Sequence, residues 1–337
     1  MTSVVTEQGL EDRYGRVATD LRVSLTDRCN LRCAYCMPEE GLAWLPKPEL
    51  LTDDEVVRLV DVAVRLLGVQ EIRFTGGEPL LRRGLAGIVE RAAALEPRPE
   101  MSVTTNGIGL DRLAAPLAAA GLDRVNVSLD TIRPDTFQAI TRRDRLGDVL
   151  KGLAAADEAG LRPVKVNAVL LRDVNDVEAA ELLQFCLDHG YQLRFIEQMP
   201  LDAQHGWDRQ RMVTADEILD RLADRFTLTP TDAAKRGSAP AETFTVDGGP
   251  AVVGIIASVT RPFCGDCDRV RLTADGQVRD CLFARKESDL RTPLRSGASD
   301  QELAELWRTA MRGKLPGHGI NDPSFLQPAR PMSAIGG

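Results

Sequence analysis

Six short segments between residues 21 and 197 carry one alternating pattern, and helical patterns separate them. They are LRVSLT (21–26), EIRFT (71–75), MSVTTN (101–106), RVNVSLD (124–130), VKVNAVL (164–170) and YQLRFIE (191–197). Stretches such as DDEVVRLVDVAVRLLG and VEAAELLQFCLDHG lie between them and repeat apolar residues at helical spacing. Repeated βα units with a parallel sheet follow, and six such units make an incomplete barrel. Parallel strands buried on both faces normally read as unbroken Val, Ile and Leu, yet these alternate. Leu21, Val23 and Leu25 oppose Arg22, Ser24 and Thr26; Ile72 and Phe74 oppose Glu71, Arg73 and Thr75; Val164, Val166 and Ala168 oppose Lys165 and Asn167. The apolar face suits a covering of helices. Arg22, Arg73, Lys165 and Arg194 then face an interior where an unpaired charge is expensive to bury. A wet lumen holding an anionic ligand satisfies them. An antiparallel sheet with one solvated face needs only the same alternation, but the intervening helices fit parallel crossovers better.

Beyond about residue 225 the composition changes. TPTDAAKRGSAPAETFTVDGGP (229–250) is rich in Pro, Gly, Ser and Thr and reads as a boundary or long loop. A strand-like AVVGIIASV follows, then RVRLTADGQVRDC with the Asp-Gly signal of a hairpin, then a helix near 300–313. The expected class is α/β: an incomplete (β/α)6 TIM-type barrel over residues 1–225, followed by a smaller α+β domain over 226–337.

Charge and cysteine content narrow the chemistry. A formal net charge of -8 argues against broad binding to nucleic acid or an anionic membrane. The first residues, MTSVVTEQGLEDRYGR, carry charges where a signal peptide has an apolar core, and the longest apolar run (251–259) is too short to span a bilayer. A cytoplasmic location is expected, where thiols stay reduced. Six of the seven cysteines form two triplets, Cys29, Cys33 and Cys36, then Cys264, Cys267 and Cys281. Cys186 stands alone in a helical pattern and reads as a small buried hydrophobe.

The stretch TDRCNLRCAYCMP (26–38) offers three thiols and no fourth partner at the usual spacing. Structural zinc wants four closed ligands. A 4Fe-4S cluster on three thiolates leaves one iron open to an exogenous ligand, and the position just after the first strand is the mouth where barrel active sites lie. For the second triplet, a zinc site completed by a distant residue remains an alternative. Arg269 and Arg271, interleaved in CGDCDRVRLTADGQVRDC, place two bidentate anion binders beside it and favour iron-sulfur. Joined to Arg22, Arg73 and Lys165 they suggest a triphosphate clamp.

CxxxCxxC at this point in the chain resembles the radical S-adenosylmethionine (SAM) superfamily, and TGGEP (75–79) resembles the element that holds the SAM amino group there. By that resemblance Tyr35, Gly77, Ser128 and Met199 line the SAM pocket. Over nearly its whole length the chain resembles the GTP 3',8-cyclase family of molybdenum cofactor biosynthesis: YGRVATDLRVSLTDRCNLRCAYCMP, FIEQMP, RPFCGDCDRVRLT and the terminal SAIGG carry the likeness. The resemblance implies two 4Fe-4S clusters, SAM as cofactor and a lyase that converts GTP to (8S)-3',8-cyclo-7,8-dihydroguanosine 5'-triphosphate. It implies that Arg22, Arg73, Thr104, Lys165, Arg269, Val270 and Arg271 hold the nucleotide. It also implies that Gly336 and Gly337 reach into the active site in a tail needed for activity. The partners implied are cyclic pyranopterin monophosphate synthase downstream, an unidentified electron donor and, by family likeness only, a second copy in a homodimer. A different radical SAM enzyme with an auxiliary cluster, or a non-enzymatic iron-sulfur carrier, are the rival readings.

Overall fold

The computed structural model describes residues 9–232 and 236–336. Six βα repeats open the chain. The strands are β1 (Asp20–Ser24), β2 (Glu71–Thr75), β3 (Glu100–Thr105), β4 (Arg124–Ser128), β5 (Lys165–Val169) and β6 (Gln192–Ile196). The intervening helices are α1 (Asp53–Leu67), α2 (Leu85–Ala93), α3 (Leu110–Ala119), α4 (Pro134–Thr141), α5 (Leu146–Glu158) and α6 (Ala179–Asp188), with α7 (Ala215–Ala223) after the last strand. Local chemistry sets their ends. In α1, Thr52 and Glu55 form a reciprocal capping box, and Gly68 closes the helix at φ 73°, a left-handed conformation that suits glycine.

The remaining elements are β7 (Leu228–Pro230), β8 (Glu242–Val246), β9 (Val252–Ile256), β10 (Arg269–Leu272), β11 (Gln277–Arg279), β12 (Ser288–Asp289), α8 (Arg291–Arg295), α9 (Asp300–Arg312) and α10 (Met332–Ile335). The twelve strands of the described residues join one open sheet in the order β12-β11-β10-β1-β2-β3-β4-β5-β6-β9-β8-β7. β1 to β6 run parallel, β10 adds to β1 in parallel and β9 adds to β6 in parallel. The late strands thus extend both edges of the barrel, and the connection from β9 to β10 passes from one edge to the other. It carries Cys264 and Cys267.

The alternation sorts as expected. Leu21, Val23, Ile72, Phe74, Val125, Val127, Val166 and Ala168 are at most 1% exposed in the core beneath the helices, while the arginines take the opposite face. The described part of 229–250 differs from the loop expectation: β7 and β8 pair antiparallel there and continue onto β9. The segment ETFTV has the period-2 pattern of a strand, masked by the Pro and Gly on either side. The Asp-Gly hairpin forms between β10 and β11, with Gly276 at φ 79° in its turn. Cys186 lies fully buried in the core. No helix among the described residues is long and apolar enough to cross a membrane.

Candidate active site

Parallel register builds a band of positive charge. Arg22 on β1 aligns with Arg73 on β2 and with Arg271 on β10, so three arginines sit side by side on adjacent strands. Asp20 aligns with Arg269. Arg124, Lys165 and Arg194 continue the same face. The countercharge is small. Asp20 pairs with Arg22 at 3.2 Å, and Arg124 pairs with Glu71 at 3.1 Å and with Glu100. Burial alone would raise the Asp20 pKa, but Arg22, Arg73 and Arg269 outweigh it and hold the carboxylate at about 2. The cations are strained by the same crowding. Burial, then Arg22, lowers Arg73 to about 9; burial, then Arg22, does the same to Arg271; burial, then Arg124, lowers Arg194 to about 10. Burial, then Arg194, brings Lys165 down to about 7.

This band lines a cavity of about 290 Å³ whose wall includes Arg22, Arg73, Arg194, Arg269 and Arg271 together with Cys29, Cys33 and Cys36. Arg73 Nε, Thr104 Oγ1, Asn167 Oδ1 and Ser333 Oγ are buried around it without a hydrogen-bond partner. Leaving such groups unpaired is costly, so the cavity suits a polar, anionic occupant. Tyr35, Gly77, Ser128 and Met199 also line it. Lys165 and Val270 are not part of its wall. Lys165 starts β5, and Val270 turns its side chain into the apolar core, aligned with Leu21.

The first triplet sits in a loop fastened from several sides. Cys36 N donates to Cys33 O at 2.9 Å, Arg32 N to Thr141 O at 3.0 Å and Ala34 N to Ile140 O at 2.9 Å, which ties the loop to the end of α4. Gly76 and Gly77 press against its other side: a Cβ on Gly76 would lie 2.3 Å from Thr26 O, and one on Gly77 would lie 2.4 Å from the carbonyls of Asp27 and Arg28. The two glycines are therefore required by the approach of backbone to backbone. Burial raises all three thiols, Cys33 well above its ordinary value and Cys36 to about 12. Three half-buried thiols with raised pKa values become good ligands only when a metal supplies the positive charge.

Several groups in this loop's surroundings escape a motif search. Glu78, fully buried, accepts from Thr105 Oγ1 at 2.7 Å, Asn106 N at 2.7 Å and Leu80 N at 3.0 Å; burial still pushes its pKa up to about 7. Asn106 Nδ2 in turn donates to Asn30 Oδ1 at 2.6 Å. Tyr35 donates its hydroxyl to Asp130 at 2.8 Å, and Asp130 also accepts from Val169 N at 2.8 Å. Glu78 lies within TGGEP, where the signal was available; Asp130 and Asn106 lie at strand ends whose meeting only the fold reveals.

Cys264, Cys267 and Cys281 line a second cavity of about 80 Å³ together with Phe263, Ser258 and His318. Met199, Arg269 and Arg271 belong to both walls, so the two spaces adjoin. His318 bears on the zinc alternative, since it is the imidazole within reach. Both its nitrogens are engaged, Nε2 with Ser258 O at 3.0 Å and Nδ1 with Ile320 N at 3.1 Å, which leaves no lone pair for a fourth ligand. Among the described residues no three Cys, His, Asp or Glu side chains converge as one metal ion would require. Arg16 fastens the loop: it donates to Cys264 O at 2.6 Å, Leu315 O at 2.6 Å and Pro316 O at 2.9 Å, with Asp12 as its ion-pair partner at 2.6 Å. Residues 236–240 also reach the site, where Pro240 lines the large cavity and Ser238 O accepts from Arg269 at 3.1 Å.

The last described residues reach the lumen, where Met332 and Ser333 line the large cavity. Gly336 lies at φ 85°, its carbonyl accepts from Arg271, and a Cβ there would fall 2.3 Å from Ser24 Oγ and 2.7 Å from Thr75 Cγ2. Gly337 lies outside the described residues.

Two family models match the chain, radical SAM superfamily over residues 23–186 and molybdenum cofactor synthesis C over residues 191–320. A GTP 3',8-cyclase of Streptomyces coelicolor is 71% identical over 97% of this chain and 96% of its own length. The chain belongs to the GTP 3',8-cyclase family. A GTP 3',8-cyclase of Mycolicibacterium smegmatis is 61% identical over 97% of this chain and 92% of its own length. Among solved structures, Streptococcus suis SuiB bound to S-adenosylmethionine superposes with a TM-score of 0.61 at 12% identity, covering 91% of this chain and 71% of that one. That likeness concerns the fold, which is the radical SAM partial barrel with a C-terminal extension.

Proposed function

We propose that this chain cyclises GTP to (8S)-3',8-cyclo-7,8-dihydroguanosine 5'-triphosphate, the first step of molybdenum cofactor biosynthesis, with a 4Fe-4S cluster on each cysteine triplet. The observation that carries the reading is one anionic-ligand cavity walled by a band of arginines and by the first triplet, and adjoining the second. When bound, the first cluster and SAM supply the reductive cleavage that removes the 3' hydrogen of GTP. Arg22, Arg73, Arg271 and Arg269 hold the triphosphate, with Lys165 and Thr104 adding to the grip. Val270 can contribute only through its backbone. Tyr35, Gly77, Ser128 and Met199 shape the SAM side of the cavity. The second triplet, next to Arg269 and Arg271, would hold the guanine end, bringing C3' and C8 within roughly 3.5 Å of each other. Gly336, whose carbonyl accepts from Arg271, brings the tail to the lumen, and the role of Gly337 rests on family likeness. Consumption of the product by cyclic pyranopterin monophosphate synthase, an electron donor of unspecified identity, a cytoplasmic location and a homodimer rest on family likeness and composition.

Iron analysis tests the two-centre part. Anaerobically reconstituted protein should carry about eight iron atoms per chain, and Cys264→Ser about four, with product absent by mass analysis in the variant. Four irons in the unaltered chain, or full turnover in Cys264→Ser, refutes it.

The Lys165 ammonium gives a pH prediction. Its pKa in the free chain is about 7, and a neighbouring triphosphate raises it. The triphosphate is already ionised above pH 7, so the binding reaction takes up a proton on the protein side. Affinity for GTP should therefore be full below pH 7 and fall above it, by up to about tenfold per pH unit. Titration calorimetry in buffers of different ionisation enthalpy reads this uptake directly. Lys165→Met should abolish it; a pH-independent affinity in the unaltered chain would remove Lys165 from the clamp.

A further inference from the structure

Lys314 is 3% exposed, just beyond α9, yet no carboxylate neutralises it within ion-pair distance among the described residues. Its ammonium donates to Arg269 O at 2.9 Å and Cys267 O at 3.2 Å, and lies 3.6 Å from Cys267 Sγ. All three protons are thus directed at the strand and loop that carry the second triplet. Asp280 is close enough to feel the charge without forming an ion pair. A buried ammonium needs a counterion, and the sulfur of Cys267 is the one it faces. Arg269 adds a second cation beside the same sulfur.

The first triplet has no such arrangement. Arg32 spends its guanidinium on the carbonyls of Cys29 and Leu31, each at 2.8 Å, and acts on the Cys29 sulfur only through space, while the groups that donate to the sulfurs there are neutral: the Asn106 amide, 3.9 Å from Cys29 Sγ, and the backbone N–H groups of Leu31 and Ser333. The two triplets therefore sit in different fields. Positive charge and N–H groups directed at the sulfurs of an iron-sulfur centre stabilise its reduced, more negative form and raise its potential.

We propose that Lys314 is a positioning residue that anchors Cys267 and raises the reduction potential of the second centre relative to the first. The inference rests on the second triplet carrying an iron-sulfur centre, as proposed above. The test is potentiometric titration of the reconstituted full-length chain, followed by electron paramagnetic resonance, with iron counted in every sample. Lys314→Gln should keep both centres, shift the midpoint of the second to more negative potential and leave the first unchanged. Lys314→Arg should restore most of the shift. Two centres in Lys314→Gln with unmoved midpoints would overturn the role of Lys314 while leaving the two-centre reading intact; one centre in the unaltered chain would overturn both. If Lys314→Gln loses the second centre, Lys314→Arg decides: retention near the original potential supports the charge, and loss there too would overturn it in favour of simple packing.

Discussion

Arg73→Met should make the ligand-free protein more stable and nearly unable to hold GTP. Arg73 lies half-buried between Arg22 and Ser102 in register, its Nε is buried without a partner, and desolvation with neighbouring arginines lowers its pKa to about 9. The free chain bears the desolvation of this guanidinium with little return. Replacing this largely desolvated, unpartnered charge by an apolar side chain of similar length should stabilise by about 1 kcal/mol, the low end for buried charges, which thermal unfolding without ligand will read as a higher Tm. With a triphosphate present the sign reverses. Loss of one desolvated, hydrogen-bonded charge from a complex costs about 2–5 kcal/mol, roughly thirtyfold to several thousandfold in Kd. Calorimetry with GTP measures the second effect. A variant that lost stability as well as affinity would mean that Arg73 is structurally paired, and the cation band would no longer imply an anionic substrate.

Gly336→Ala should cost the enzyme most of its turnover while leaving the first centre loaded. The added methyl would overlap Ser24 Oγ and Thr75 Cγ2 in a residue held at φ 85°. The left-handed backbone penalty for a Cβ is about 1–2 kcal/mol, and overpacking adds about 1–3 kcal/mol. If the seated tail is required for the reaction, the seated population and the rate fall together by about thirtyfold or more. Steady-state product formation reads the loss, and iron content shows whether the cysteine loops survived. Ser24→Gly in the same chain removes the nearest obstacle and should recover part of the rate. Unchanged turnover in Gly336→Ala would separate the tail from catalysis.

Much of this was legible in the residues because parallel strands impose a period of two. Arg22, Arg73 and Lys165 could be assigned to one face from spacing alone, and β2 falls on EIRFT with no displacement. What spacing could not supply was register. That Arg271, some 249 positions away, would align with Arg22 follows from β10 docking beside β1, which local pattern does not specify. Arg16 and Lys314 were silent for the same reason: each is an ordinary surface-type residue in sequence and becomes buried only when distant backbone carbonyls converge on it. Val270 illustrates the opposite limit. Taken with Arg269 and Arg271 as one segment, it was placed with the nucleotide ligands, but strand alternation sends its side chain to the core. The 229–250 region was obscured by composition, because Pro and Gly at its ends hide the strand pattern of ETFTV between them.

The pairing of β9 with β6 and of β10 with β1 has a consequence for how such a chain is made. As the polypeptide leaves the ribosome, β1 and β6 stand as bare margins with unsatisfied backbone groups until residues 252–272 emerge to cover them. Exposed margins of this kind invite pairing with other nascent chains. The interval of greatest hazard during biogenesis is therefore the one between completing the sixth repeat and delivering the segment that bridges the gap.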